Sequence, residues 1–173
     1  MRLSKFALTV LACLSFTANS HASDTEFFHG IQGKWKGPGE IVAGKYKGTK
    51  FVCTFDGSNP TQDVGMNVDG SCRVGVFTQK MNADIIKTAG QYIGKFLDGA
   101  KGDGMDVRGG RFTKNRLVVD IKRKNLNGIM VANLSDPKHL KVTISVKHNK
   151  TLIPVIGMNL RRQSGKVITG SLN

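Results

Sequence analysis

Acidic residues are scarce in this chain: 12 Asp and Glu stand against 26 Lys and Arg, and the formal charge is +14. With so few carboxylates, no paired acid–base couple stands out for catalysis. A Gly-any-Ser-any-Gly elbow is absent, which removes the serine hydrolases built on that turn. Cysteine is also sparse, at 3 residues, and no histidine lies near Cys53 or Cys72, so a zinc site is a poor reading of those thiols. Beyond the N-terminus no stretch is long and apolar enough to cross a bilayer as a helix. Long repeats, low-complexity tracts and the marks of a second domain are missing as well.

The N-terminus has the three parts of a secretory signal. Arg2 and Lys5 make a positive start, Phe6 to Phe16 is mostly apolar, and Ser20-His21-Ala22 places small residues at a cleavage site. Cleavage after Ala22 is expected, so the protein is read as periplasmic or secreted. An alternative is a lipoprotein anchored at Cys13, because Val10-Leu11-Ala12-Cys13 loosely resembles a lipobox. Removing 22 of 173 residues leaves 151, enough for one domain with a real core. Arg2 and Lys5 leave with the signal and no acid does, so +14 becomes +12. In an exported chain the remaining pair, Cys53 and Cys72, reads as a disulfide.

Alternation dominates the rest of the chain. Leu140-Lys141-Val142-Thr143-Ile144-Ser145-Val146-Lys147 puts an apolar side chain on every second residue, the pattern of a strand with one buried face. Runs of this kind recur near 33–42, 49–56, 64–69, 71–77, 83–87, 91–97, 105–112, 116–123, 128–134 and 139–147, with another near 152–162. Asp56-Gly57, Asp69-Gly70, Asn127-Gly128 and Asn149-Lys150 are the turn signals between them. Residues 81–97 also carry apolar residues at helical spacing, but Gly90 and Gly94 favour a hairpin turning at Thr88-Ala89-Gly90. The expectation is an all-β fold: a single antiparallel β-barrel of about ten strands over 33–162. A lead-in over 23–32 would precede it, with Phe27 and Phe28 packing on the body, and a fraying tail would follow over 163–173.

Gly33-Lys34-Trp35 opens the first strand and continues as Lys36-Gly37-Pro38-Gly39. A large indole followed by small residues suits a strand that bends at a barrel corner. This motif resembles the opening strand of the lipocalin and calycin barrels. The resemblance implies a tryptophan plugging one barrel end, with an arginine of the last strand packed over it. Arg162 has the inward parity of Ile156, Met158 and Leu160, so Trp35 and Arg162 are the expected plug. The same segment is similar to the start of nitrobindin-type haem barrels, which use a late histidine. The Tyr-Pro pair of those barrels is missing, and His139 and His148 sit at the ends of a lysine-flanked strand. Neither haem nor any other cofactor is therefore expected. The segment from Phe96 to Met158 resembles small exported proteins of Gram-negative bacteria, a likeness that implies no activity.

Asp98, Asp103 and Asp106 lie in a Gly-rich stretch that reads as a solvated turn rather than a calcium loop. The basic residues carry more information. Lys34, Lys36, Lys45, Lys47 and Lys50 surround the first two strands, and Lys122-Arg123-Lys124 precedes a turn. Brought together, these clusters would make an anion-binding patch. The aromatic residues fall on inward parity, which leaves no stacking platform, so nucleic-acid binding is not expected. The functional expectation is a non-enzymatic envelope protein with a basic surface for an anionic lipid, lipopolysaccharide or acidic protein. Its alternative is a carrier holding a small apolar ligand inside the barrel. Inhibition of a basic enzyme such as lysozyme is disfavoured by like-charge repulsion.

Overall fold

The computed structural model describes residues 20–60, 64–97 and 104–164. Helix α1 (Ser20–Gly30) leads into strands β1 (Gly33–Ile41), β2 (Lys50–Ser58), β3 (Gly65–Val74), β4 (Phe77–Thr88) and β5 (Gln91–Leu97). The chain continues through β6 (Met105–Thr113), β7 (Arg116–Arg123), β8 (Leu126–Asp136), β9 (His139–His148) and β10 (Thr151–Arg162). Every strand pairs antiparallel with its sequence neighbour, and β1 pairs with β10, so the sheet closes on itself. Closure leaves no unpaired edge, which removes the main aggregation hazard of a sheet. The result is an all-β, closed ten-stranded antiparallel barrel, consistent with a calycin/lipocalin-like architecture. Cys13, most of the expected signal, Asp98, Asp103 and the tail beyond 164 lie outside the described residues.

Period-two patterning produces the wall. On β1, Trp35, Gly37 and Gly39 are buried while Lys34, Lys36 and Pro38 are exposed. Gly37 is needed for close approach: a Cβ there would stand 2.0 Å from the Asn159 carbonyl oxygen on β10. Cys53 and Cys72 face each other across β2 and β3 and form a disulfide. Closing a loop of about twenty residues, it contributes about 3 kcal/mol, chiefly by restricting the unfolded chain.

Three sequence readings are completed or corrected. The lead-in is helical through Gly30, and Phe27 and Phe28 are 3% and 1% exposed. Two adjacent phenylalanines give no helical period, so the helix is stabilised by burial rather than announced by pattern. Second, 64–69 and 71–77 are not separate strands divided at Asp69-Gly70. Gly70 lies inside β3, where a Cβ would come within 2.3 Å of the Thr54 carbonyl oxygen, so this glycine serves packing and not a turn. The chain reverses at Gly75-Val76 instead, and β4 begins at Phe77. Third, Asn127-Gly128 lies within β8 and Asp56-Gly57 within β2; the β7–β8 turn is Lys124-Asn125, with Lys124 at φ 52°. Residues 81–97 form the second part of β4 and all of β5, turning at Ala89-Gly90 with φ 49° and 78°. Both central residues in the left-handed region mark a turn whose twist matches the strands.

Candidate ligand cavity and basic rim

An up-and-down barrel sends alternate hairpin turns to opposite ends. One end holds α1 and is closed. Phe27 packs on Phe112 with ring centroids 5.1 Å apart, and Phe28 on Tyr92 at 6.1 Å. Trp35 is 2% exposed, and its indole N–H donates to the Ile31 carbonyl at 2.9 Å. The Arg162 guanidinium lies over the Trp35 ring, 4.4 Å from its centroid. Its Nε donates to the Pro137 carbonyl at 2.8 Å, and its terminal nitrogens donate to the carbonyls of Gly30 and Gln32. Arg162 thus joins the exit of α1, the β8–β9 turn and the indole through one rigid fork.

A second anchor holds the start of the helix. Asp24 is 4% exposed, pairs with Lys87 of β4 and accepts a 2.7 Å hydrogen bond from the Tyr92 hydroxyl. Lys87 also lies over the Tyr92 ring, at 5.6 Å. Burial, and then the hydrogen bond to Asp24, hold the Tyr92 hydroxyl protonated well above the usual phenol range. Sequence reasoning missed this trio, because Asp24 and Lys87 are 63 positions apart and no local spacing links them.

Above the plug the barrel holds a cavity of about 130 Å³. Trp35 and Ile31 floor it, and its wall is apolar, from residues such as Phe55, Ile85, Leu117 and Leu160. All the methionines among the described residues line it: Met66, Met81, Met105, Met130 and Met158. Methionine is flexible and polarisable, so a wall built from it can reshape around different apolar guests. The volume is close to the ~150 Å³ of a dry apolar cavity that takes benzene. Exposed Asn82 and Leu97, with half-buried Met81 and Met105, mark where the cavity reaches solvent. Among the described residues no histidine lines it; His139 pairs with Asp136 at 2.8 Å outside the barrel, and His148 is exposed at a strand end. A histidine-ligated haem therefore has no ligand among the described lining residues. Of the three aspartates read as a turn, Asp106 pairs with Arg108 at 3.1 Å.

Among the described residues, the opposite end collects the turns β1–β2, β3–β4, β7–β8 and β9–β10, together with the end of β5 and the start of β6. Lys45 and Lys47 lie in the first of these and Lys50 at the start of β2. Lys122 and Arg123 end β7, and Lys124 is in its turn. Topology therefore brings these six residues to one end, where Arg73, Lys80, Lys147 and Lys150 join them. The described segments 42–55, 70–83, 121–135 and 137–164 contain no Asp or Glu. Lys34 and Lys36 do not belong to this rim: they are exposed on the outer wall of β1 toward the plugged end, Lys36 opposite Arg161. The positions of the carboxylates along the sequence are the signal that could have located the rim, since they avoid these four hairpin tips.

Fold and site together define a closed ten-stranded barrel, plugged at one end and basic at the other, with an apolar interior. Among solved structures, the crystal structure of Rv2717c from M. tuberculosis is similar, with a TM-score of 0.60 over 82% of this chain and 98% of that one. At 9% identity the likeness shows the fold alone. No protein-family model matches the chain, and no curated protein matches it.

Proposed function

We propose that this is an exported, non-enzymatic binding protein of the bacterial envelope whose basic end engages an anionic component. The observation that supports it is the concentration of lysine and arginine on four hairpin tips that carry no carboxylate. Such a surface, basic apart from Glu40 opposite Lys50 and Asp106 beside Arg108, raises the local concentration of anions and speeds their encounter. Two variants of equal charge change test it. K45E/K47E, at the rim, is expected to weaken binding to dextran sulfate on the order of tenfold at about 0.1 M salt. K34E/K36E, on the wall, is expected to leave most of that affinity. Equal losses in the two would mean that net charge, not the rim, does the binding.

The cavity favours a second reading, in which the barrel also carries a small apolar ligand. Its methionine-rich wall stands over a rigid plug and reaches solvent beside the basic rim. In this reading an apolar group enters the interior while an anionic group meets the lysines. Protein purified from its host should show a bound apolar molecule by native mass spectrometry, and benzene should protect the protein against thermal unfolding. Absence of both effects removes the carrier reading.

A further inference from the structure

The rim is apolar as well as basic. Residues 73–80, the tip of the β3–β4 hairpin, are all exposed, with Val76 at 88% and Phe77 at 79%. Tyr46 at 63%, Leu126 at 60% and Leu152 at 45% stand on the neighbouring tips. Of the exposed large apolar residues among those described, only Ile93 lies away from this end, at mid-wall beside Arg108. Single exposed apolar residues are ordinary, but large ones gathered at one end mark an interaction surface. The cations are interleaved with them: Lys45 and Lys47 flank Tyr46, Arg73 and Lys80 bracket Val76-Phe77, and Lys124 is two residues from Leu126.

We propose that this end docks upright on an anionic lipid bilayer, with Val76 and Phe77 inserted among the headgroups and the rim lysines on the lipid phosphates. This rests on the reading of the basic end as an anion-binding surface and gives that surface one partner. Two features select a bilayer over a soluble polyanion. The cations are distributed over four hairpins around the barrel mouth rather than along one groove, which suits a plane. A polyanion also offers nothing to bury Phe77 against, whereas the headgroup boundary accepts apolar tips while lysine stems reach the phosphates. The cavity mouth at Met81, Leu97 and Met105 adjoins the same end, so docking would place the apolar interior next to the lipid.

Sedimentation with vesicles tests this. The purified protein is expected to bind vesicles of equal parts phosphatidylglycerol and phosphatidylcholine, and not vesicles of phosphatidylcholine alone. V76S/F77S, changed only at an exposed tip, should lose on the order of tenfold or more in vesicle affinity and keep its affinity for dextran sulfate. Phe77→Trp supplies an independent readout. Its emission should shift to the blue on the mixed vesicles and be quenched by brominated lipid, whereas that of the wild type, whose single tryptophan Trp35 is buried, should not. If V76S/F77S binds the mixed vesicles as tightly as the wild type, or Phe77→Trp is not quenched, the insertion is wrong. In that case the basic-end reading survives so long as K45E/K47E still weakens dextran sulfate binding. If the wild type binds neither the vesicles nor dextran sulfate, both ideas fall together.

Discussion

Replacing Trp35 with alanine will lower stability by about 3–5 kcal/mol, the range for truncating a buried aromatic residue. The indole is among the largest fully buried side chains and forms the floor of the cavity. Its removal forfeits the transfer free energy of the ring and leaves a void that the closed sheet cannot collapse, because neighbouring strands are fixed by their ladders. It also leaves the Ile31 carbonyl without its donor and the Arg162 guanidinium without the ring beneath it. Trp35→Phe separates these effects. It keeps much of the volume and a ring for Arg162 but deletes the N–H, so its cost should be nearer 1–2 kcal/mol, by about the penalty for one unpaired buried carbonyl plus the lost ring atoms. Arg162→Lys keeps the charge yet cannot reach three carbonyls from a planar fork, so it should lose more than a surface substitution would. Urea unfolding reads these changes as a shift of midpoint at constant slope. A Trp35→Ala loss below about 1 kcal/mol would mean that the plug does not support the barrel.

Trp35 and Arg162 show what is legible in a β sequence. Each lies on a strand whose inward parity is set by neighbours two residues away, and both parities survive to the ends of β1 and β10. The same period made β7 and β9 visible and placed Cys53 on an inward face. Glycine was harder to read, because it has two uses. At Ala89-Gly90 it completes a turn, whereas at Gly70 it makes room for the backbone of β2, and the local sequence does not distinguish them. Misreading Gly70 had a functional consequence. It placed 71–77 in a strand of its own and hid the exposed tip at Val76-Phe77. The cavity was hidden for a different reason. Met158 was already on inward parity, but parity says that a side chain faces in, not that the interior is left partly empty.

The Asp24 trio had no local signature at all, and it sets the other large effect. Asp24→Ala is expected to cost about 3–5 kcal/mol, the penalty for breaking a buried ion pair by removing one partner. The Lys87 side chain is 16% exposed, so loss of the carboxylate leaves an ammonium largely out of water with no counter-charge. The Tyr92 hydroxyl, on a side chain 2% exposed, loses its acceptor at the same moment. Because the cost resides in the groups left behind, removing them as well should recover much of it. D24A/K87M/Y92F is predicted to be more stable than Asp24→Ala alone, although it lacks every polar group of the site. Asp24→Asn should fall between, since its amide oxygen still accepts from Tyr92 but no longer balances Lys87. Urea midpoints of the four proteins check the order, and limited proteolysis within α1 checks the cause. If Asp24 anchors the helix, Asp24→Ala should be cut between Ser23 and Gly30 well before the barrel unfolds, whereas the triple variant should resist for longer. If the triple variant were no more stable than Asp24→Ala, the stranded charge would not be the origin of the loss. The pair would then contribute net attraction, and the plugged end would depend on it for more than position.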